Sequence, residues 1–219
     1  MKRILLIVAI LALFVSYGNA QKINYGVIVG LNVNAARGNQ PNGVRLGYSV
    51  GATAVYDFKD SQSSWFLGAS LMLSQKGYKV DNIYSPNLDG SESQYKSHLD
   101  MSSLELPVVV GKNFAVGEKS SIFVEAGPYV SCALWGKSKT TLDGHEEYST
   151  HHVFGNGGYK RVDYGFTFGV GANISDRVRV KCNYELGLPN LIKDVGVYPE
   201  TVKPTYRNGN IAVTIGYMF

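Results

Sequence analysis

The chain has 219 residues and a formal net charge of +4, and is 45% hydrophobic but only 17% charged, against about 25% charged in an average soluble domain. This balance excludes a disordered chain, a coiled coil and a collagen-like repeat. The charge is too small to argue for nucleic acid, the 2 cysteines are too few for a disulfide scaffold, and the length fits one domain.

Lys2 and Arg3 precede an unbroken apolar run over residues 4–15, and Gly18 and Ala20 follow as the small residues of a signal peptidase site. Twelve apolar residues are too few to cross a bilayer, which takes about 20. Residues 1–20 are therefore expected to be a cleaved secretory signal, and 21–219 the mature domain. No cysteine follows the run, which argues against a lipoprotein. There is no second long apolar stretch, so a mature chain that enters a membrane crosses it with strands.

The rest alternates with period two, the mark of strands with two unlike faces. In chain order the apolar sets are Tyr25, Val27, Val29, Leu31 and Val33; then Leu46, Tyr48, Val50, Ala52, Ala54 and Tyr56; then Trp65, Leu67, Ala69, Leu71 and Leu73. They continue with Leu104, Leu106, Val108 and Val110, and with Ile122, Val124, Ala126, Val130, Cys132 and Leu134. The cleanest is Val162, Tyr164, Phe166, Phe168, Val170, Ala172 and Ile174, opposed by Asp163, Gly165, Thr167, Gly169, Gly171 and Asn173. Val178, Val180, Cys182, Tyr184 and Leu186, and finally Ile211, Val213, Ile215, Tyr217 and Phe219, make eight strands. Short turns fall near 59–63, 115–120 and 175–177, and long polar connections near 35–44, 77–100, 137–160 and 189–208. Short and long in alternation is an up-and-down meander with all long connections at one end.

Alternation alone does not say which face is inside. The second face is mostly Gly, Ser, Thr and Asn, whereas a soluble surface would be rich in Lys and Glu. Small polar groups suit the narrow lumen of an eight-stranded barrel. The apolar faces span nine or more residues, as a tilted strand needs to cross a bilayer. Aromatics recur near their ends, at Tyr25, Tyr56, Trp65, Tyr164, Tyr217 and Phe219, like the girdles of membrane barrels. A closed barrel also pairs every backbone group in hydrocarbon, which an open sheet cannot do. The expected fold is an all-β, eight-stranded antiparallel up-and-down transmembrane β-barrel with short periplasmic turns and four long extracellular loops. Pro107 and Pro128 lie inside strands of a ring with no free edge, so a β-bulge or a local widening is expected at each.

Five segments follow one another along the chain: Gly26-Val27-Ile28-Val29-Gly30-Leu31-Asn32, Leu73-Ser74-Gln75-Lys76-Gly77, Leu104-Glu105-Leu106-Pro107, Glu125-Ala126-Gly127-Pro128-Tyr129 and Tyr184-Glu185-Leu186-Gly187-Leu188. In that order they resemble the PorT-like outer membrane β-barrel domain family of Bacteroidota-type bacteria. Tyr217-Met218-Phe219 is similar to the aromatic-x-Phe ending that the barrel assembly machinery reads. The resemblance implies a bacterial outer membrane barrel, with that machinery and the lipid bilayer as partners. It implies no catalytic residues, and some relatives assist protein secretion.

Six charged residues fall on the inward faces: Lys76, Glu105, Glu125, Arg179, Lys181 and Glu185, three of each sign. The expectation is a salt-bridged filling rather than an ion path, because an eight-stranded lumen is filled by side chains. His145, His151 and His152 share one long loop with Glu146 and Glu147, but adjacent histidines converge poorly on one metal, so no metal site is expected. Cys132 and Cys182 lie two strands apart on the outward face, about 9.5 Å and beyond disulfide reach. No nucleophile elbow, phosphate loop or dinucleotide fingerprint is present, so neither catalysis nor a cofactor is expected. Ser102 and Ser103 near His98 leave an embedded hydrolase as a minor reading. Tyrosines decorate the loops, among them Tyr84, Tyr95, Tyr148, Tyr159 and Tyr198, and suit contact with a protein or glycan. The alternative is that such tyrosines pack the loops together. The leading expectation is a non-enzymatic barrel that presents its loops to a surface or envelope partner. A small-solute channel is the alternative, and a soluble periplasmic lipocalin-like binder a lesser one.

Overall fold

The computed structural model describes residues 23–38, 43–58, 63–86, 92–142, 145–155, 158–175, 177–193 and 205–219. The expected signal at 1–20 lies outside them. Nine strands form: β1 (Ile23–Arg37), β2 (Val44–Asp57), β3 (Trp65–Pro86), β4 (Glu92–Ala115), β5 (Ser120–Leu142), β6 (His145–Thr150), β7 (Val162–Ile174), β8 (Val178–Gly187) and β9 (Arg207–Met218). Eight close a ring in the order β1-β2-β3-β4-β5-β7-β8-β9, with β9 returning to β1 and every pairing antiparallel. The closure pairs Val27 with Tyr217 and Leu31 with Val213. β6 stands outside the ring, against the far end of β5.

The apolar face points out. On β7, Val170 is 58% exposed and Phe168 50%, while Asp163 and Thr167 between the outward residues are 4% exposed. β1 and β9 repeat the pattern, with Val29 and Ile215 outward and Asn32 and Thr214 buried. From Tyr164 to Ile174, about 3.3 Å per residue at a tilt of about 40° gives a height of about 25 Å, that of a membrane barrel's apolar band. Tyr25, Trp65, Tyr217 and Phe219 are exposed near the short-turn end and Tyr48 and Tyr164 near the other, as girdles require.

Three expectations are corrected. Residues 77–100 and 137–160 are not mainly loops, because β3 continues to Pro86, β4 starts at Glu92, β5 reaches Leu142 and β6 follows. Above the bilayer both faces meet water, so the apolar–polar contrast that reveals a strand is gone. Neither proline carries a bulge. The ladder lapses beside Pro107 on both sides, between Ala69↔Val108 and Met72↔Glu105 against β3 and between Pro107↔Tyr129 and Val110↔Ala126 against β5, and resumes in the same register, while Pro128 stays in step with Phe166. The strands stay close there, since a Cβ on Gly127 would collide with the Val108 carbonyl oxygen. The bulge falls higher, where Ser103 pairs with Ala133 but Ser102 with Trp135. Leu134 is the extra residue, and both Leu134 and Trp135 face outward as a result. Third, the inward face is not small and polar throughout. Near the short turns it carries a buried apolar cluster of Val55, Phe66, Val109, Phe123 and Met218.

Candidate functional site

The six charged residues on inward faces meet inside the ring as two separate groups. Nearer the short turns, Glu125 on β5 takes Arg179 at 3.1 Å and Lys181 at 2.8 Å, both from β8. Higher up, Lys76 on β3 bridges Glu105 on β4 and Glu185 on β8, the latter at 2.8 Å. One carboxylate thus lies between two cations, and one cation between two carboxylates. The six sum to zero, although each group carries one unit of opposite sign. Removing such charges from water is costly unless each is paired and hydrogen-bonded. Neighbours add hydrogen bonds to Glu185, where Asn210 donates at 3.0 Å and Asn183 at 3.5 Å, and the Tyr129 ring makes a cation–π contact with the Lys76 ammonium at 4.6 Å.

The Arg179 guanidinium rests on Phe123 at 3.7 Å and on Phe66 at 4.6 Å. Beneath it a polar floor runs from Arg179 to Asn173, on to Asn113 and Ser121, and through Asn113 to Asp57. A cavity of about 20 Å³ beside Glu125, Arg179 and Lys181 has room for about one water.

The long-connection end is closed by an apolar core absent from the sequence reading. Ala36, Leu99, Met101, Val153, Leu191 and Tyr206 are buried together, with Tyr78, Phe154, Tyr159 and Ile192 packed on them. Three tyrosines from three hairpins meet here. Tyr78 and Tyr206 have ring centroids 4.9 Å apart, Tyr159 and Tyr206 6.0 Å, and the Tyr78 and Tyr159 hydroxyls share a 2.6 Å hydrogen bond. Burial, reinforced by Tyr78, pushes the Tyr159 phenol well above its ordinary pKa. Tyr206 continues the contacts downward. It donates to Asn208 at 2.5 Å, Asn208 donates to Asp163 at 2.7 Å, and Tyr129 donates to the same Asp163 at 3.0 Å. Asp163 is the one acidic residue on the inward face of β7, and that isolation was the signal for this network.

Tyr159, expected as a loop contact, therefore holds the cap together. Tyr198 and the side chains of Tyr84, Tyr95 and Tyr148 lie outside the described residues. The backbones of these last three belong to β3, β4 and β6. Cys132 and Cys182 are exposed free thiols on β5 and β8, with β7 between them. His145, His151 and His152 are exposed. Among the described residues, no group of three or more His, Cys, Asp or Glu is placed to hold a metal ion. Ser102 and Ser103 flank the β4–β5 bulge and are buried.

The description of an outer membrane protein beta-barrel domain matches residues 19–193. No curated protein matches the chain. Among solved structures, the attachment invasion locus protein Ail of Yersinia pestis is 14% identical, covering 90% of this chain and 99% of that one at a TM-score of 0.40. Neisserial surface protein A is 13% identical over 89% and 97%, at 0.44. OprG from Pseudomonas aeruginosa is 10% identical over 90% and 97%, at 0.41. A ring of eight strands turned apolar side out can stand only in lipid, and with most of its length matched the chain belongs to the outer membrane protein β-barrel domain family, a protein of the bacterial outer membrane.

Proposed function

We propose that this barrel is a non-enzymatic anchor whose working surface is the set of long connections, binding a protein or glycan partner of the cell envelope or surroundings. The observation that carries this is the contrast between lumen and exterior. The lumen is closed in series by the apolar cap, two ion groups and the buried apolar cluster around Phe66 and Phe123. Outside, β3, β4, β5 and β6 continue as one sheet past the level where β7 begins. A chain that lengthens three strands beyond the bilayer while filling its lumen is built to present surface rather than to pass solute. The PorT-like resemblance supports an envelope-assembly partner. Its matched segments Leu73–Gly77, 104–107 and 184–188 carry Lys76, Glu105 and Glu185 into the upper ion group. Residues 1–20 fit a signal that delivers the chain across the inner membrane.

The test has two arms. Purified protein in a planar bilayer should carry no sizeable steady current; a stable channel current would favour the transporter reading. A chain with residues 81–92 replaced by a short turn should keep its barrel but lose capture of envelope partners. Equal capture by both forms would remove the β3–β4 connection from the function.

A further inference from the structure

We propose that Trp135, Lys137, Lys160 and Arg161 form a site on the barrel's outer wall for a phosphate-bearing lipid headgroup of the outer leaflet. The site grows out of the β4–β5 bulge. Leu134, the extra residue there, has no partner in the β4–β5 register. Arg161 reaches the bulge, its Nη1 donating to the Ala133 and Leu134 carbonyls at 2.9 Å each. The guanidinium also lies 4.2 Å over the Phe154 ring. It is thus pinned along one edge, and a pinned, planar guanidinium is the group best suited to phosphate.

The charge around it is positive. Lys137, Lys160 and Arg161 are all exposed. Two carboxylates that the ladder and the chain bring near them are committed elsewhere. Asp100, opposite Lys137 in the ladder, is ion-paired with Arg45. Asp163, two residues beyond Arg161, turns into the lumen to accept from Tyr129 and Asn208. Neither Asp100 nor Asp163 is therefore left to answer the three cations.

Their height identifies the occupant. Arg161 directly precedes Val162, the first outward residue of the apolar wall. Below it lie exposed Cys132, Leu134, Val162 and Tyr164, and beside it Trp135 at 56% exposure. Apolar wall beneath, an indole at the boundary and cations just above match an acyl chain joined to an anionic headgroup. At the opposite end of the wall the cations meet aromatic side chains. There Lys112 lies over Trp65 and Phe114, and Arg177 donates to the Tyr217 hydroxyl.

The test uses the full barrel in zwitterionic micelles doped with phosphatidic acid or, at equal dose, phosphatidylcholine of the same chains. Retained lipid is counted by native mass spectrometry. Phosphatidic acid should be retained in preference. The double variant Lys137→Gln, Lys160→Gln leaves the Arg161 anchorage intact and should weaken retention about fivefold per lysine removed. Lys112→Gln at the other end should change nothing. Unaltered heat-dependent gel mobility verifies that each variant is folded. Equal retention of the two lipids, an unaffected double variant, an equal loss from Lys112→Gln, or displacement of the lipid by soluble polyglutamate would each overturn the proposal.

Discussion

With Lys76 replaced by methionine, Glu105 and Glu185 would face one another inside the lumen without the cation that joins them. Removing one partner of a buried ion group costs about 3–5 kcal/mol, whereas replacing the whole group with matched neutral residues can cost little. Lys76→Met alone should therefore lower guanidinium stability in lipid vesicles by about that amount. The triple Lys76→Met, Glu105→Gln, Glu185→Gln should recover most of it. A single variant as stable as the parent would mean that the ion group contributes nothing to folding. On the outer wall, Val170 pairs with Val124 and Cys182 midway along its strand. Val170→Arg should cost about 2–4 kcal/mol at the bilayer midplane. Thr167→Arg, placed on a residue only 4% exposed, should instead block refolding by crowding the lumen. In the cap, the raised Tyr159 pKa has a definite sign. A phenol held neutral in the folded state and ionising at about 10 when unfolded stabilises the fold fully below that pH. The contribution is lost as pH climbs toward the folded pKa. Absorbance titration should show Tyr159 ionising later than exposed tyrosines, and Tyr159→Phe should shrink that late component by one phenol, leaving the share of buried Tyr206, whose pKa is raised as well.

The clearest elements in the sequence were those buried in lipid on one side and in the lumen on the other. β7 shows why: outward Val162 to Ile174 are apolar or aromatic without exception, and no inward residue between them is. Two solvents of opposite character write a two-residue period. β3 loses that period beyond Gly77, where both faces leave the bilayer, although its backbone stays paired with β4 to Pro86. The same loss hid the upper parts of β4 and β5 and all of β6. The lumenal charges were legible as residues on one face, but their division into two groups was not, because ring order and stagger decide which side chains meet. The cap was invisible for a similar reason, since Tyr78, Tyr159 and Tyr206 come from three connections that only the closed ring brings together. Gly77 marks the change of regime. It holds a φ of 151°, and a Cβ there would collide with the Leu99 carbonyl oxygen. Gly77→Ala should destabilise the β3–β4 hairpin above the bilayer by roughly 1–3 kcal/mol. Hydrogen exchange should speed up over β3 beyond residue 77 and its β4 partners, while β7 and β8 keep their protection.

For the molecule as a whole, the question is whether one obstruction or several keep the lumen shut. Tyr206 is the link between cap and interior, because it touches Tyr78 and Tyr159 above and bonds Asn208 below. Tyr206→Ala would undo the cap and release Asn208 from one of its partners. It would leave the Lys76 and Glu125 ion groups and the Phe66–Phe123 contact untouched. Obstructions in series are removed only together, so conductance should stay at the level of the parent. The loss should be read instead in stability and in cap mobility, since truncating a large aromatic in a packed core costs about 3–5 kcal/mol. If Tyr206→Ala alone gave a steady current, the ion groups would not be a filling. The cap would then be the gate of a conducting pore, and the solute-transport reading would replace the anchor.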